Sequence, residues 1–250
     1  MGDIAIISEL KKLESLSLIG SNIEQLPKEI EQLIHLRLLD LSNCSKLQVI
    51  PPNIISSLSQ LERLRMENSF TGWEVEGSND KRTNASLSEL KYLSHLGTLD
   101  MEVPDAKLLP KGILFENLIR FKILIGDVWS WCENCETTES LKFNKLNTSL
   151  HSMDGISKLL KRAKDLYLCE LSGANHVLSE VDREGFPALK HFHVESSPEI
   201  QYIMHSVEQV PGNPVFPTLE SVYLTKLINL QEVCHGQLPP GSFGLKNCKS

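Results

Sequence analysis

Cys132 and Cys135 stand as Cys-Glu-Asn-Cys beside Trp129 and Trp131, the spacing used by metal sites and dithiol redox centres. A structural zinc needs four ligands, and no second Cys or His pair follows at a usable distance, so the two read as loop thiols. The histidines make no His-Glu-x-x-His, and neither Gly-x-Ser-x-Gly nor a Gly-x-x-x-x-Gly-Lys-Ser/Thr loop occurs. Zinc protease, serine hydrolase and phosphate-loop chemistry are therefore unsupported. No catalytic, cofactor-binding or metal-ligating residue is assigned, and the chain is read as a non-enzyme.

Another set of polar residues has regular spacing. Arg63, Arg65 and Glu67, then Asp100 and Glu102, Arg120 and Lys122, and His191, His193 and Glu195 alternate with apolar residues; Tyr167 and Tyr223 fall in the same phase. On an extended segment, residues two apart share one face. Arg and Tyr often anchor protein interfaces. These residues are the candidate protein-binding surface, with a central column reading Ser17, Asp40, Arg65, Asp100, Lys122, Tyr167, His193 and Tyr223.

The elements that must position them follow from an LxxLxL pattern: Leu13-Leu16-Leu18, Leu36-Leu39-Leu41, Leu61-Leu64-Met66, Leu96-Leu99-Met101, Leu118-Phe121-Ile123 and, more weakly, Leu219-Val222-Leu224. First positions at Leu13, Leu36, Leu61, Leu96, Leu118, Thr138, Ala163, Leu189 and Leu219 are spaced by 23, 25, 35, 22, 20, 25, 26 and 30 residues. Thr138 and Ala163 are the weakest starts, being small. This is the signature of a leucine-rich repeat: an α/β solenoid of about nine units, with short parallel strands on a concave face and loops and short helices on the convex face. One unit cannot fold alone. Burying three Leu-sized side chains gives roughly 5 to 9 kcal/mol, whereas ordering about 25 residues costs on the order of 25 to 50 kcal/mol.

Between the strands, Ser21, Cys44 and Ser69 recur eight residues after the first three motif starts, where a small polar side chain can bond the turning backbone. Leu26-Pro27, Ile50-Pro51, Leu109-Pro110 and Leu238-Pro239 suit the return path, because proline fixes its backbone and disfavours a ladder position. The polar stretch at about 70–85 is read as an exposed insertion and that at about 127–137 as irregular. Ser86 with Glu89 matches a capping box before Leu87, Leu90 and Leu93; Asp154 is placed to cap a helix turning Ile156, Leu159 and Leu160 inward and Lys158, Lys161 and Arg162 to water. Leu39 is expected in the core, and Arg65 on the surface, where its loss changes stability little.

The formal charge of -7 and pI near 5.6 argue against nonspecific nucleic-acid binding, and no run approaches the length of an apolar membrane span. The start lacks a secretory pattern, and six scattered cysteines without paired clusters favour a reducing compartment, so the expected location is cytoplasmic. Asn43, Asn84 and Asn147 head glycosylation tripeptides that matter only in a secreted chain. Residues 1–250 are read as one repeat domain, truncated at both ends because neither carries a polar capping repeat.

The segments LESLSLIGSNIEQLPKEIEQLIHLRLLDLSNCSKLQVIPPNIISSLSQLERLRMENSF (13–70), NASLSELKYLSHLGTLDMEVPDAKLLPKGILFENL (84–118), GDVWSW (126–131) and DGISKLLKRAKDLYL (154–168) resemble the repeat region of plant coiled-coil nucleotide-binding leucine-rich-repeat disease resistance proteins. The resemblance implies recognition of a pathogen effector or modified host protein. It also implies restraint of a nucleotide-binding switch, so that ADP or ATP would be held by a domain absent from this chain. It implies no cofactor here, and as partners a protein ligand and that intramolecular domain.

Two other readings use the same array. The ectodomain of a cell-surface receptor would need a signal and cysteine caps, and its loops commonly end in Gly-x-Ile-Pro. A substrate-binding adaptor of a ubiquitin ligase would need an F-box-like segment, and the sequence shows none.

Overall fold

A computed structural model describes residues 7, 9–75, 82–110, 115–126, 137–145, 154–173, 177, 185–205 and 215–235. The chain divides into two compact units that meet in sequence near Leu124.

The first unit carries β1 (Ser15–Ser17), β2 (Leu38–Asp40), β3 (Arg63–Arg65), β4 (Thr98–Val103) and the start of β5 (Arg120–Gly126), adjacent in chain order. The second carries β6 (Glu139–Asn144), β7 (Asp165–Cys169), β8 (His191–Glu195), β9 (Tyr202–His205), β10 (Ser221–Thr225) and β11 (Glu232–His235). There β6, β7, β8 and β10 are neighbours, while β9 leaves that row to pair with β11. Pairings are parallel: β1 to β2, β2 to β3, β3 to β4, β6 to β7, β7 to β8, β8 to β10 and β9 to β11. Short parallel strands recurring at repeat spacing are the leucine-rich repeat architecture.

The motif leucines supply the core. Leu36, Leu39, Leu41, Leu61, Leu64 and Met66 are at most 1% exposed, and Leu99, Met101, Phe121 and Ile123 are fully buried. In the second unit Leu141 with Phe143, Leu166 with Leu168, and Phe192 with Val194 fill the same positions. Ala163 is buried and serves as a motif start, but Thr138 is exposed, so that rung lacks an inward first residue. In the last rung Val222 is exposed and Leu224 partly so.

Seven of the strands, β1, β2, β3, β6, β7, β8 and β10, are followed by a left-handed residue two beyond the third motif position. Gly20, Asn43, Asn68, Lys145, Glu170, Ser196 and Lys226 have φ between 49° and 67°. This conformation turns the chain out of the sheet while its amide still reaches the next rung: Gly20 N donates to Ser42 O at 2.9 Å, Asn43 N to Glu67 O at 2.7 Å, and Glu170 N to Glu195 O at 3.0 Å. Glycine and asparagine adopt it at little cost; Lys145, Glu170, Ser196 and Lys226 do not.

The return path carries little regular structure. Pro27 precedes a 3-10 helix at Lys28–Gln32, and α1 (Ile54–Ser57) is a single turn. Ser86 and Glu89 form the expected capping box, but the helix it opens, Leu87–Tyr92, is 3-10. A spacing of three between Leu87, Leu90 and Leu93 suits three residues per turn, and all three are buried. Glu89 reaches further than its own helix: Oε1 also accepts from Asn53 N at 2.9 Å and Oε2 from Ser56 N at 3.3 Å, so one buried carboxylate caps α1 of the preceding repeat.

α2 (Asp154–Leu160) turns Ile156, Leu159 and Leu160 inward; Lys158 is exposed, whereas Lys161 and Arg162 are only partly so. Within the stretch read as an exposed insertion, Phe70 and Trp73 are buried and meet edge to face at 5.1 Å, and Ala85 is buried too. Apolar bulk there outweighs the polar composition of the stretch. Residues 76–81, the Cys132/Cys135 pair and Leu238-Pro239 lie outside the described residues. Cys44 Sγ, buried, donates to Leu18 O at 3.0 Å, and Ser21 Oγ stands 3.4 Å from that sulfur.

Candidate protein-binding face

With leucines turned inward, the residues between them point outward in rows. In the first unit the register places Ser17 opposite Asp40, Asp40 opposite Arg65, and Arg65 opposite Asp100. The preceding row aligns Leu38, Arg63 and Thr98. Ile119 N and Arg120 N both bond Gly97 O, at 2.8 and 3.0 Å, the same fork that Glu62 N and Arg63 N make with Arg37 O. It puts Arg120 opposite Thr98 and Lys122 opposite Asp100. The rows thus run from basic, with Arg63 and Arg120, through mixed, with Asp40, Arg65, Asp100 and Lys122, to acidic, with Glu67 and Glu102.

Arg65 is not a free surface side chain. Its Nη1 lies 3.9 Å from Asp40 Oδ2 and its Nε 3.5 Å from Asp100 Oδ2, with both carboxylates largely covered. Burial pushes the Asp100 carboxyl up to about 6. Arg65 and Lys122 oppose that shift, and Glu67 and Asp40 add to it, so desolvation outweighs two nearby cations.

Glu102 departs from the expected contact surface. It is 1% exposed, its Oε1 accepts from Asn68 N at 3.0 Å, and its carbonyl accepts from Trp73 Nε1 at 2.9 Å. The chain from Asn68 to Trp73 lies against it, so the carboxylate holds a turn and is withdrawn from ligands.

In the second unit three outward rows are in register: Ser140, Asp165, His191 and Ser221; Lys142, Tyr167, His193 and Tyr223; Asn144, Cys169, Glu195 and Thr225. The middle row is a ladder of rings. Tyr167 and His193 stack at 4.1 Å and 15°, and His193 and Tyr223 at 4.3 Å and 12°. Neighbouring strands lie about 4.8 Å apart, so in-register planar side chains meet face to face.

Burial, aided by His191, lowers the His193 imidazole to about 4 against the opposing pull of Asp165 and Glu195. At neutral pH it is uncharged, presenting one donor and one acceptor nitrogen. His191 Nδ1 stands 2.8 Å from Ser221 Oγ, and Glu195 Oε1 accepts from Lys226 Nζ at 3.2 Å. Tyr167 is almost covered, whereas Tyr223 is half exposed.

The β6 members of these rows, Ser140, Lys142 and Asn144, escaped the sequence reading because Thr138 gave the repeat no leucine to start from. The alternation of Leu141 and Phe143 marks them. They are buried, as is Asp165, whose Oδ2 accepts from Thr137 N at 2.9 Å, Thr137 Oγ1 at 2.5 Å and Ser140 Oγ at 2.9 Å. Among the described residues, no group of three or more His, Cys, Asp or Glu is placed to hold a metal ion, and no helix is long and apolar enough to cross a membrane.

No protein-family model matches the chain. Over 194 residues, 76% of its length, it is 29% identical to a disease resistance protein of Arabidopsis thaliana, and the match spans 19% of that protein. Among solved structures it is similar to a leucine-rich-repeat protein of Leptospira interrogans, with a TM-score of 0.45 and 23% identity, over 78% of this chain and 46% of that one.

Proposed function

We propose that this chain is a non-catalytic protein-recognition module of a plant intracellular immune receptor. On this reading the outward rows of the sheets engage a pathogen effector or a modified host protein, and restrain a nucleotide-binding switch carried elsewhere in the receptor. The supporting observation is the outward grid itself: parallel register lines up Arg, Asp, His and Tyr side chains on the face opposite the leucine core. Such a face offers many weak contacts over an area without enclosing a small molecule, which suits a protein surface. The similarity to a disease resistance protein supplies the biological setting.

On this reading the module works in the cytoplasm, needs no cofactor of its own, and leaves ADP or ATP to the switch domain. The test is a deletion of residues 13–230 from the intact receptor. The expected result is loss of the elicitor response together with loss of restraint. A receptor that still answers its elicitor and stays silent without it overturns the proposal.

A further inference from the structure

Arg63 and Arg120 differ from most cations near the strands. Arg37 pairs with Glu62, Arg65 with Asp40 and Asp100, Lys145 with Glu170, Lys164 with Glu139, Lys190 with Glu220, and Lys226 with Glu195. Arg63 and Arg120 are exposed, and neither guanidinium group has an ion pair or side-chain hydrogen bond among the described residues. They occupy one outward row, on β3 and β5, with only Thr98 of β4 between them. Two strand spacings put their backbones about 10 Å apart.

The floor between the arginines is low. A Cβ added at Gly97 would meet nothing closer than 3.9 Å, and Thr98 is the smallest outward side chain in that row apart from serine. Ile119, 71% exposed, borders the same spot with an apolar surface. Beyond it the row is mixed, with Asp40 and Asp100 flanking Arg65 and Lys122 opposite Asp100, and Glu67 lies one row further. In a chain of net charge -7, two unpaired guanidinium groups on the sheet, with a charge-balanced row and then Glu67 on one side, form a local positive field.

We infer that Arg63 and Arg120 form a two-pronged clamp for an acidic segment of the protein partner, one that sets a pair of carboxylates against the arginines and keeps its basic or neutral side towards Glu67. This rests on the reading of the outward face as the recognition surface. The guanidinium fork matches carboxylate geometry, and Glu67 acts against partners bound in the reverse orientation.

The test uses the whole 250-residue chain and three probes: a fluorescent ten-residue glutamate peptide, a lysine peptide of equal length, and inorganic phosphate. The glutamate peptide should bind with a salt-dependent affinity, and the R63E/R120E variant should bind it at least about tenfold more weakly. A K46E/K107E variant, which makes the same charge change at exposed positions off the sheet, should bind as the parent does. Failure of the glutamate peptide to bind, an equal loss in K46E/K107E, or tighter binding of the lysine peptide overturns the clamp. Displacement of the peptide by submillimolar phosphate likewise overturns the carboxylate assignment in favour of a phosphate. Photo-crosslinking from position 65 in the intact receptor separates the two claims: capture of a protein partner there, without acidic-peptide binding, leaves the recognition face standing and removes only the clamp.

Discussion

His193 lies face to face with Tyr223, ring centroids 4.3 Å apart and planes 12° from parallel, because the two are paired residue for residue in adjacent parallel strands. Tyr167 covers the other face of the imidazole. Charge on His193 is therefore disfavoured by burial, and its pKa drops from 6.5 to about 4. Between those values the unfolded chain takes up a proton that the folded chain refuses, so this residue makes stability fall as pH drops from 6.5 towards 4. His193→Phe should keep the stack and remove that part of the acid loss. Urea midpoints at pH 7.5, 5.5 and 4.5 check it; identical pH slopes in parent and variant would refute the assignment.

Asp100 has the opposite sign. Its folded carboxyl titrates at about 6 against 3.8 unfolded, so between these values the folded chain holds the extra proton and gains stability as pH falls. Asp100→Asn should remove this gain and steepen the net acid loss below pH 6. The same denaturation series reads the effect.

Arg65→Ala, expected from sequence to be nearly silent, should cost about 1 to 3 kcal/mol, because it leaves the covered carboxylates of Asp40 and Asp100 without their shared cation. Arg63→Ala, with no partner to abandon, should change stability by less than about 0.5 kcal/mol. Leu39→Ala, in the core at 1% exposure, should cost about 2 to 5 kcal/mol. Chemical denaturation of the three variants ranks them, and a loss at Arg63 equal to that at Arg65 would contradict the ion-pair account.

Ser196 is held at φ 51°, a strain that a β-carbon makes costly. Ser196→Gly should stabilise the chain by up to about 1 kcal/mol, whereas Glu89→Ala should cost about 2 to 4 kcal/mol, since it uncaps two helical turns and strands the buried amide of Ser86 and the part-buried amide of Asn53. Thermal midpoints of both variants check the pair.

Where leucines fell at LxxLxL spacing, the inward and outward assignments could be read from the sequence, because alternation by two decides them: Asp40, Arg65 and Asp100 face outward as their neighbours Leu39, Leu64 and Leu99 require. What alternation leaves open is what lies over an outward residue. Glu102 is outward in phase but covered by the return of the chain through Trp73, a contact made by residues 29 positions apart in sequence. The left-handed turns at Gly20, Asn43 and Asn68 fall on residue types that favour them, whereas those at Lys145, Glu170 and Lys226 do not, because tertiary pairing there overrides preference. Glu89 signalled its own cap by spacing; its second cap, on α1, depends on the stacking of two repeats.

On the proposed function, the outward rows, and not the return loops, meet the partner. A photoreactive residue placed in the intact receptor at position 63, 120 or 223, and for comparison at position 46 or 158, tests it during the elicitor response. Crosslinks to a protein partner are expected from 63, 120 and 223 and none from 46 or 158; crosslinks confined to 46 and 158 would place the contact on the return loops instead.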